Sequence, residues 1–76
     1  MLNTNSETKF YAAFKNENEF ELWSKQEGCN TPDAALAQAE MLLLDTYGSR
    51  DPKYMKRLNN IIVINKDEAS YLKLLN

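Results

Sequence analysis

Apolar and polar residues alternate over two short stretches, residues 9–15 and 19–25, with the two-residue period of a β-strand. Asn16, Glu17 and Asn18 separate the stretches, and such side chains favour tight turns. The pattern therefore predicts a hairpin of two antiparallel strands. The alternate apolar positions predicted to face the core are Phe10, Ala12, Phe14, Phe20 and Leu22.

Residues 33–47 carry the strongest helix signal in the chain, because nearly all of them are good helix formers. Thr31 is a suitable N-cap, Pro32 fits the first helical position, and Gly48 favours the left-handed conformation that ends a helix. The 3–4 spacing of apolar residues predicts one buried face along this helix. Its members would be Leu36, Ala39, Leu43 and Tyr47, widened by Ala35 and Leu42.

A second, shorter helix is predicted over residues 52–58. Asp51 followed by Pro52 repeats the combination of a cap and a proline that begins a helix. The residues predicted to pack inward from it are Tyr54, Met55 and Leu58.

Residues 61–64 form the β-branched run Ile-Ile-Val-Ile, which favours a buried central strand. The segment over residues 67–75 fits two structures. Asp67 can cap a helix there, or residues 70–74 can form a fourth strand. The capping residue and the lack of β-branching after Ile64 favour the helix.

This order of elements predicts a single α+β domain over residues 9–76, with a small antiparallel sheet packed on one main helix. Residues 1–8 are polar and lack the basic start and apolar centre of a signal peptide, so we expect a flexible leader there. No apolar stretch is long enough to span a membrane. Cys29 is the sole cysteine, which excludes an internal disulfide and favours the cytoplasm.

Charge is unevenly divided along the chain. Residues 1–48 hold eight acids and three bases, a net charge of −5, whereas residues 49–76 hold six bases and three acids, a net charge of +3. The total is −2. Two regions of opposite potential steer partners more than they stabilise a fold, so the charge pattern indicates a binding function.

The side chains of common catalytic sites are missing. Histidine is absent, which removes the usual general base and the nucleophilic triads built on it. Cys29 has Lys25 as its nearest cation in sequence, too little to activate a thiol. Two glycines in the whole chain cannot form a phosphate-binding loop. We therefore expect no enzymatic activity, no cofactor and no metal.

Protein binding is the first hypothesis for function. Glu17, Glu19 and Glu21 would present an acidic surface to a partner with a basic surface. The other acids that would join this surface are Glu27, Asp33, Glu40 and Asp45. Tyr11 and Trp23 would anchor the contact, because exposed aromatic residues are frequent interface anchors. Alternatively, Trp23 packs against a loop or against the terminal segment, residues 67–75. The protein itself would be a monomer or a homodimer.

Nucleic-acid binding is the alternative hypothesis. Arg50, Lys53, Lys56 and Arg57 lie close together, and the last three share one face of the predicted short helix. Such a ridge can contact phosphates. The same residues can equally form a solvated helix face that pairs with the acids of the chain. The sequence pI of about 5.0 argues against a dedicated nucleic-acid-binding protein.

The overall layout depends on four stretches: residues 10–14, the Leu22-Trp23 end of the return strand, residues 31–37 and residues 61–64. In size, acidity and layout it resembles small phage-encoded inhibitors of host defence, such as anti-CRISPR proteins. These inhibitors share no signature motif, so the resemblance assigns no role to any residue. A C-terminal helix departs from the version of this layout that ends in a hairpin. The resemblance implies a protein that inhibits by occupying a surface, without turnover.

Overall fold

The computed structural model describes residues 8–76, which form a three-stranded antiparallel sheet with helices on both faces. The predicted α+β class is confirmed. The predicted leader, residues 1–8, lies outside the described residues except for Thr8. The elements in chain order are β1 (Phe10–Asn16), β2 (Glu19–Leu22), α1 (Pro32–Tyr47), α2 (Pro52–Leu58), β3 (Ile61–Asn65) and α3 (Lys66–Tyr71). None of the helices within residues 8–76 is long and apolar enough to cross a membrane.

β1 is the central strand, and both of its faces are covered. Ala12 faces α1, whereas Tyr11 and Ala13 face α3 and the segment that follows it. All three residues are buried. Because side chains alternate across a strand, consecutive buried residues require cover on both sides of the sheet. The sequence predicted a helix on one face, and the structure adds a second apolar layer on the other.

α1 begins and ends where the sequence predicted. The Thr31 side chain accepts a hydrogen bond from the Ala34 N–H at 3.1 Å, and Gly48 ends the helix at φ 87°. The buried face consists of Ala35, Ala39 and Leu43. The prediction that Leu36 belongs to this face is wrong, because the helix packs through its alanines against Ala12 and turns Leu36 towards solvent.

α2 also has its predicted bounds, with the Asp51 side chain accepting a hydrogen bond from the Lys53 N–H at 2.9 Å. Tyr54 is buried as predicted. Met55 is exposed, which contradicts the prediction. A helix of only about two turns presents one narrow face to the protein, and Tyr54 occupies it.

β3 lies at an edge of the sheet, so the prediction of a central strand is wrong. The strand order is β2-β1-β3, and β3 pairs with β1 alone among the described strands. β2 already occupies the other side of β1 as its hairpin partner, which leaves β3 one neighbour. An edge position explains why Ile62, in the middle of the β-branched run, is 41% exposed.

α3 confirms the helical alternative for the last segment, although it ends earlier than predicted, at Tyr71. Its N-cap is Asn65 rather than Asp67. The Glu68 N–H donates to Asn65 Oδ1 at 2.8 Å, and the Asn65 N–H donates to Glu68 Oε1 at 3.2 Å, which is a reciprocal capping box. The residues after α3 that pack over this face of the sheet are Leu72, Leu74 and Leu75.

Candidate protein-binding surface

Tyr11 is part of the core, so its predicted role as an anchor for a partner is wrong. Only 2% of the residue is exposed, and its hydroxyl donates to the Gln26 carbonyl oxygen at 3.1 Å. Burial, assisted by the nearby Glu27, raises the pKa of the phenol and keeps it a donor. Tyr11 therefore fastens the loop between β2 and α1 to the sheet.

Glu21 and Arg57, predicted for two different surfaces, bind each other. The Arg57 Nε–H donates to Glu21 Oε1 at 2.9 Å, and a second guanidinium nitrogen donates to Glu21 Oε2 at 3.1 Å. The Trp23 indole N–H donates to the same Glu21 Oε1 at 3.0 Å. Hydrogen bonding from Arg57 holds the pKa of the Glu21 carboxyl below its usual value. This bidentate pair links β2 to α2.

Aromatic rings enclose the Arg57 guanidinium. Its central carbon lies 5.0 Å from the Phe14 ring centroid and 5.2 Å from that of Tyr47. The Trp23 ring centroid lies 5.9 Å from that of Tyr47, and only 13% of the Arg57 side chain is exposed. Cation–π contacts of this kind favour a fixed guanidinium. We refer to Phe14, Glu21, Trp23, Tyr47 and Arg57 as the Arg57 cluster.

The Arg57 cluster changes the reading of three predicted site residues. Glu21, Trp23 and Arg57 contact one another or the surrounding aromatic rings and so link β1, β2, α1 and α2. Trp23 is half-buried on the α1 side of the sheet, opposite the segment 67–75 that was one predicted neighbour. Its role as a partner anchor stays a prediction. The predicted residues that remain exposed are Glu17 and Glu19 at the hairpin and Arg50, Lys53 and Lys56 at α2.

An apolar surface that the sequence did not reveal lies on the outside of α1. Leu36, Met41 and Leu44 are exposed there, Met41 by 71%. Ala35, Ala39 and Leu43 fill the face towards the sheet. Met41 and Leu44 point away from that face, and Leu36 lies at its edge, in a groove that Leu58 also lines. We refer to Leu36, Met41 and Leu44 as the outer face of α1.

Two open grooves flank the outer face of α1, and acidic side chains line them. One groove includes Asp33, Glu40 and Leu58. The other includes Asp45 together with Lys25. Around the apolar side chains the acids outnumber the bases, so the surface has a negative rim with an apolar centre. That combination suits an apolar partner surface with basic residues around it.

One signal in the sequence points to this surface. One turn of α1 is apolar on every side, since Met41, Leu42, Leu43 and Leu44 are consecutive. A turn of this composition needs burial on every side to leave no apolar side chain exposed, which a 76-residue domain with a few short elements cannot provide. Within residues 8–76, no three side chains of metal-binding type lie close enough to hold an ion.

The fold and the surface together define a small α+β domain with an acidic, apolar helix face. Comparison with known protein families, with curated proteins and with solved structures found no match. The functional argument therefore depends on the geometry and charge of this surface.

Proposed function

We propose that this chain is a non-enzymatic binding protein that acts as an inhibitor or adaptor by occupying the surface of a protein partner. The supporting observation is the outer face of α1, where three large apolar side chains are exposed on one helix. Grouped apolar side chains on the surface of a small domain are typical of protein–protein contact sites.

The charge around this face supports a partner of particular chemistry. Asp33, Glu40 and Asp45 surround the outer face of α1, so the partner offers basic side chains around an apolar patch. Exposed charges of this kind accelerate association and are screened by salt. We therefore expect the association rate to fall as ionic strength rises, with a smaller change in the dissociation rate.

The finer form of the proposal comes from the resemblance to phage-encoded inhibitors. In that form the partner is a host defence complex in the cytoplasm, and the chain blocks it by binding. A helix face that offers apolar contact and no catalytic side chain suits inhibition without turnover.

Affinity purification with matched variants tests the proposal. The bait would be the wild-type chain, Met41→Glu on the outer face of α1, or Tyr71→Glu on α3. Both positions are exposed apolar residues, and Tyr71 lies on the opposite side of the sheet. The recovered complex is then reconstituted from purified components and its Kd is measured. We expect Met41→Glu to raise this Kd at least about tenfold, because the substitution places a charge in the apolar centre of the surface.

Tyr71→Glu is expected to retain the partner at the wild-type affinity. Equal retention by Met41→Glu and the wild type would contradict the proposed surface. The proposed function predicts at least one protein that the wild-type bait recovers and Met41→Glu does not. If no such protein is found at low or at moderate salt, the proposed function is contradicted.

Nucleic-acid binding remains the second candidate, supported by three exposed bases at α2, namely Arg50, Lys53 and Lys56. The fourth predicted base, Arg57, is committed to Glu21 and is not available for phosphate contacts. A fluorescence anisotropy titration with labelled oligonucleotides at two salt concentrations separates the candidates. Affinity that falls steeply with salt and is lost in Lys53→Gln/Lys56→Gln would favour nucleic acid over a protein partner.

A further inference from the structure

The direction of the backbone groups in β1 determines which groups of β3 point outward. The Ala12 carbonyl oxygen accepts from the Trp23 N–H at 2.8 Å, and the Ala12 N–H donates to Ser24 Oγ at 3.2 Å. Ala12 therefore directs both groups towards the β2 side. Because this direction alternates along a strand, Tyr11 and Ala13 direct theirs towards β3.

The partners of Tyr11 and Ala13 in β3 are Ile64 and Ile62. Ile61 and Val63 alternate with them along β3. Their N–H and C=O groups therefore point outward from the free edge of the sheet, within its plane. Among residues 8–76, no hydrogen-bond partner is found for these groups of Ile61 and Val63.

The outer edge of β3 also lacks the features that normally prevent strands from pairing. Its first four residues are Ile-Ile-Val-Ile, with no charge and no proline. β2, the other edge strand, carries Glu19 and Glu21 instead. Natural edge strands are usually protected by charge, proline or a bulge, so an unprotected apolar edge indicates a strand that pairs.

We propose that β3 pairs antiparallel with β3 of a second copy of this chain, about a two-fold axis at Ile62. In this register Ile61 of each protomer lies opposite Val63 of its partner. The outward N–H and C=O groups of both residues then bond across the axis, which satisfies all the groups that β3 leaves open. The two sheets join into one continuous sheet. This assembly goes beyond the proposed function and uses a different surface.

Side chains and charges at this edge favour a second copy as the occupant. Ile62, 41% exposed in one chain, would meet Ile62 of the partner protomer in a close cross-strand pair. β3 follows α2, which carries the exposed Lys56, and leads into α3, which begins with the exposed Asp67 and Glu68. An antiparallel arrangement places the start of one β3 beside the end of the other, so basic and acidic side chains meet at both ends.

The symmetry has a consequence for binding. A two-fold axis perpendicular to the joined sheet places both copies of α1 on the same side of it. The dimer would then present two outer faces of α1 in one direction, and a partner with repeated sites would be held by both.

Sedimentation equilibrium between about 1 μM and about 1 mM tests the dimer, and for an interface this small we expect a Kd on the order of 10 μM. Ile62→Lys and Ile62→Glu place like charges opposite each other, so each variant alone is expected to raise the Kd at least about tenfold. An equimolar mixture of the two variants is expected to dimerise again, because the axis places opposite charges together.

Tyr71→Lys is the matched control, since Tyr71 is 85% exposed on the same side of the sheet and lies off the edge. It should dimerise like the wild type, as should Met41→Glu. A wild-type chain that stays monomeric up to about 1 mM would overturn the proposal. So would dimerisation of Ile62→Lys alone, failure of the mixture to recover, or loss of the dimer in Tyr71→Lys. Because Met41→Glu tests the partner surface separately, failure of one proposal is distinguishable from failure of the other.

Discussion

Two glycines with positive φ lie in different surroundings, and the difference is measurable. Gly28 has φ 77°, and a Cβ atom there would lie 2.7 Å from Tyr11 Cζ. Gly48 has φ 87°, and a Cβ atom there would meet nothing within 4 Å. Substitution by alanine therefore adds backbone strain at both sites, with a steric overlap at Gly28 alone.

We expect Gly48→Ala to lower the free energy of unfolding by about 1–3 kcal/mol, through backbone strain. Gly28→Ala is expected to cost about 1–3 kcal/mol more than that, because the Tyr11 ring must move from its site in the core. Chemical denaturation of both variants beside the wild type gives the comparison. If Gly28→Ala were the more stable of the two, the close approach between Gly28 and Tyr11 would be refuted.

At the residue scale, the sequence identified chemically distinctive side chains but not what they contact. Glu21, Trp23 and Arg57 were each assigned to a binding surface because charged and aromatic residues are common there. Glu21 and Arg57 are 36 positions apart, and no local pattern indicates that they bind each other. Pairing of this kind depends on how β2 and α2 are placed by the whole fold.

The packing of α1 is tested by two of its leucines, which differ in burial. Leu43 is fully buried, so Leu43→Ala is expected to lower the free energy of unfolding by about 2–5 kcal/mol, from lost burial and the cavity left behind. Leu36 is exposed, so Leu36→Ala is expected to cost less than about 1 kcal/mol. Thermal unfolding followed by circular dichroism measures both, and each 1 kcal/mol corresponds to about 4–8 °C in a domain of this size. Equal losses would contradict the difference in burial between these two positions.

At the element scale, helix boundaries and the buried residues of both longer helices were predictable, whereas the exposure of Leu36 and Met55 was not. Thr31, Asp51 and Gly48 act through hydrogen bonds and backbone conformation within a few residues, so local sequence suffices to place them. The buried face of α1 depends on a match with Ala12 on another strand. Hydrophobicity alone does not show that Leu43 is buried and Leu36 exposed, because that difference depends on the elements packed against each position.

The Glu21–Arg57 pair gives the stability of the whole domain a defined pH dependence. The pKa of Glu21 is lowered in the folded state by Arg57, and in the unfolded chain it returns to the ordinary value of a glutamate. Protons then bind the unfolded chain more tightly than the folded one. The stabilisation is fully present above that ordinary pKa and is lost as the pH falls through the lower, folded-state pKa of Glu21.

We therefore expect Glu21→Gln to be less stable than the wild type at neutral pH, with the difference shrinking towards acid. Denaturation midpoints measured from pH 7 downwards show this directly. Glu19→Gln serves as the control, because Glu19 lies on the same strand, is exposed and forms no salt bridge with residues 8–76. Its pH profile is expected to follow the wild type. A constant difference between Glu21→Gln and the wild type at every pH would contradict the assignment.

At the scale of the whole molecule, the α+β class and the hairpin were predictable, and the sheet order was not. The Ile-Ile-Val-Ile run favours burial wherever it lies, so it does not distinguish a central strand from an edge strand covered on both faces. The edge position of β3 follows from the pairing of β1 with both of its neighbours. Long-range pairing of that sort is decided by competition among strands.

The position of Trp23 has a practical use. It is the one tryptophan of the chain, and its indole N–H bonds to Glu21 while its ring lies beside Tyr47. Its fluorescence emission therefore originates from a site where two helices and two strands converge. Opening of that site would expose the indole to water and shift the emission to longer wavelength. The protein thus contains an intrinsic optical reporter of its own tertiary structure, readable without a label.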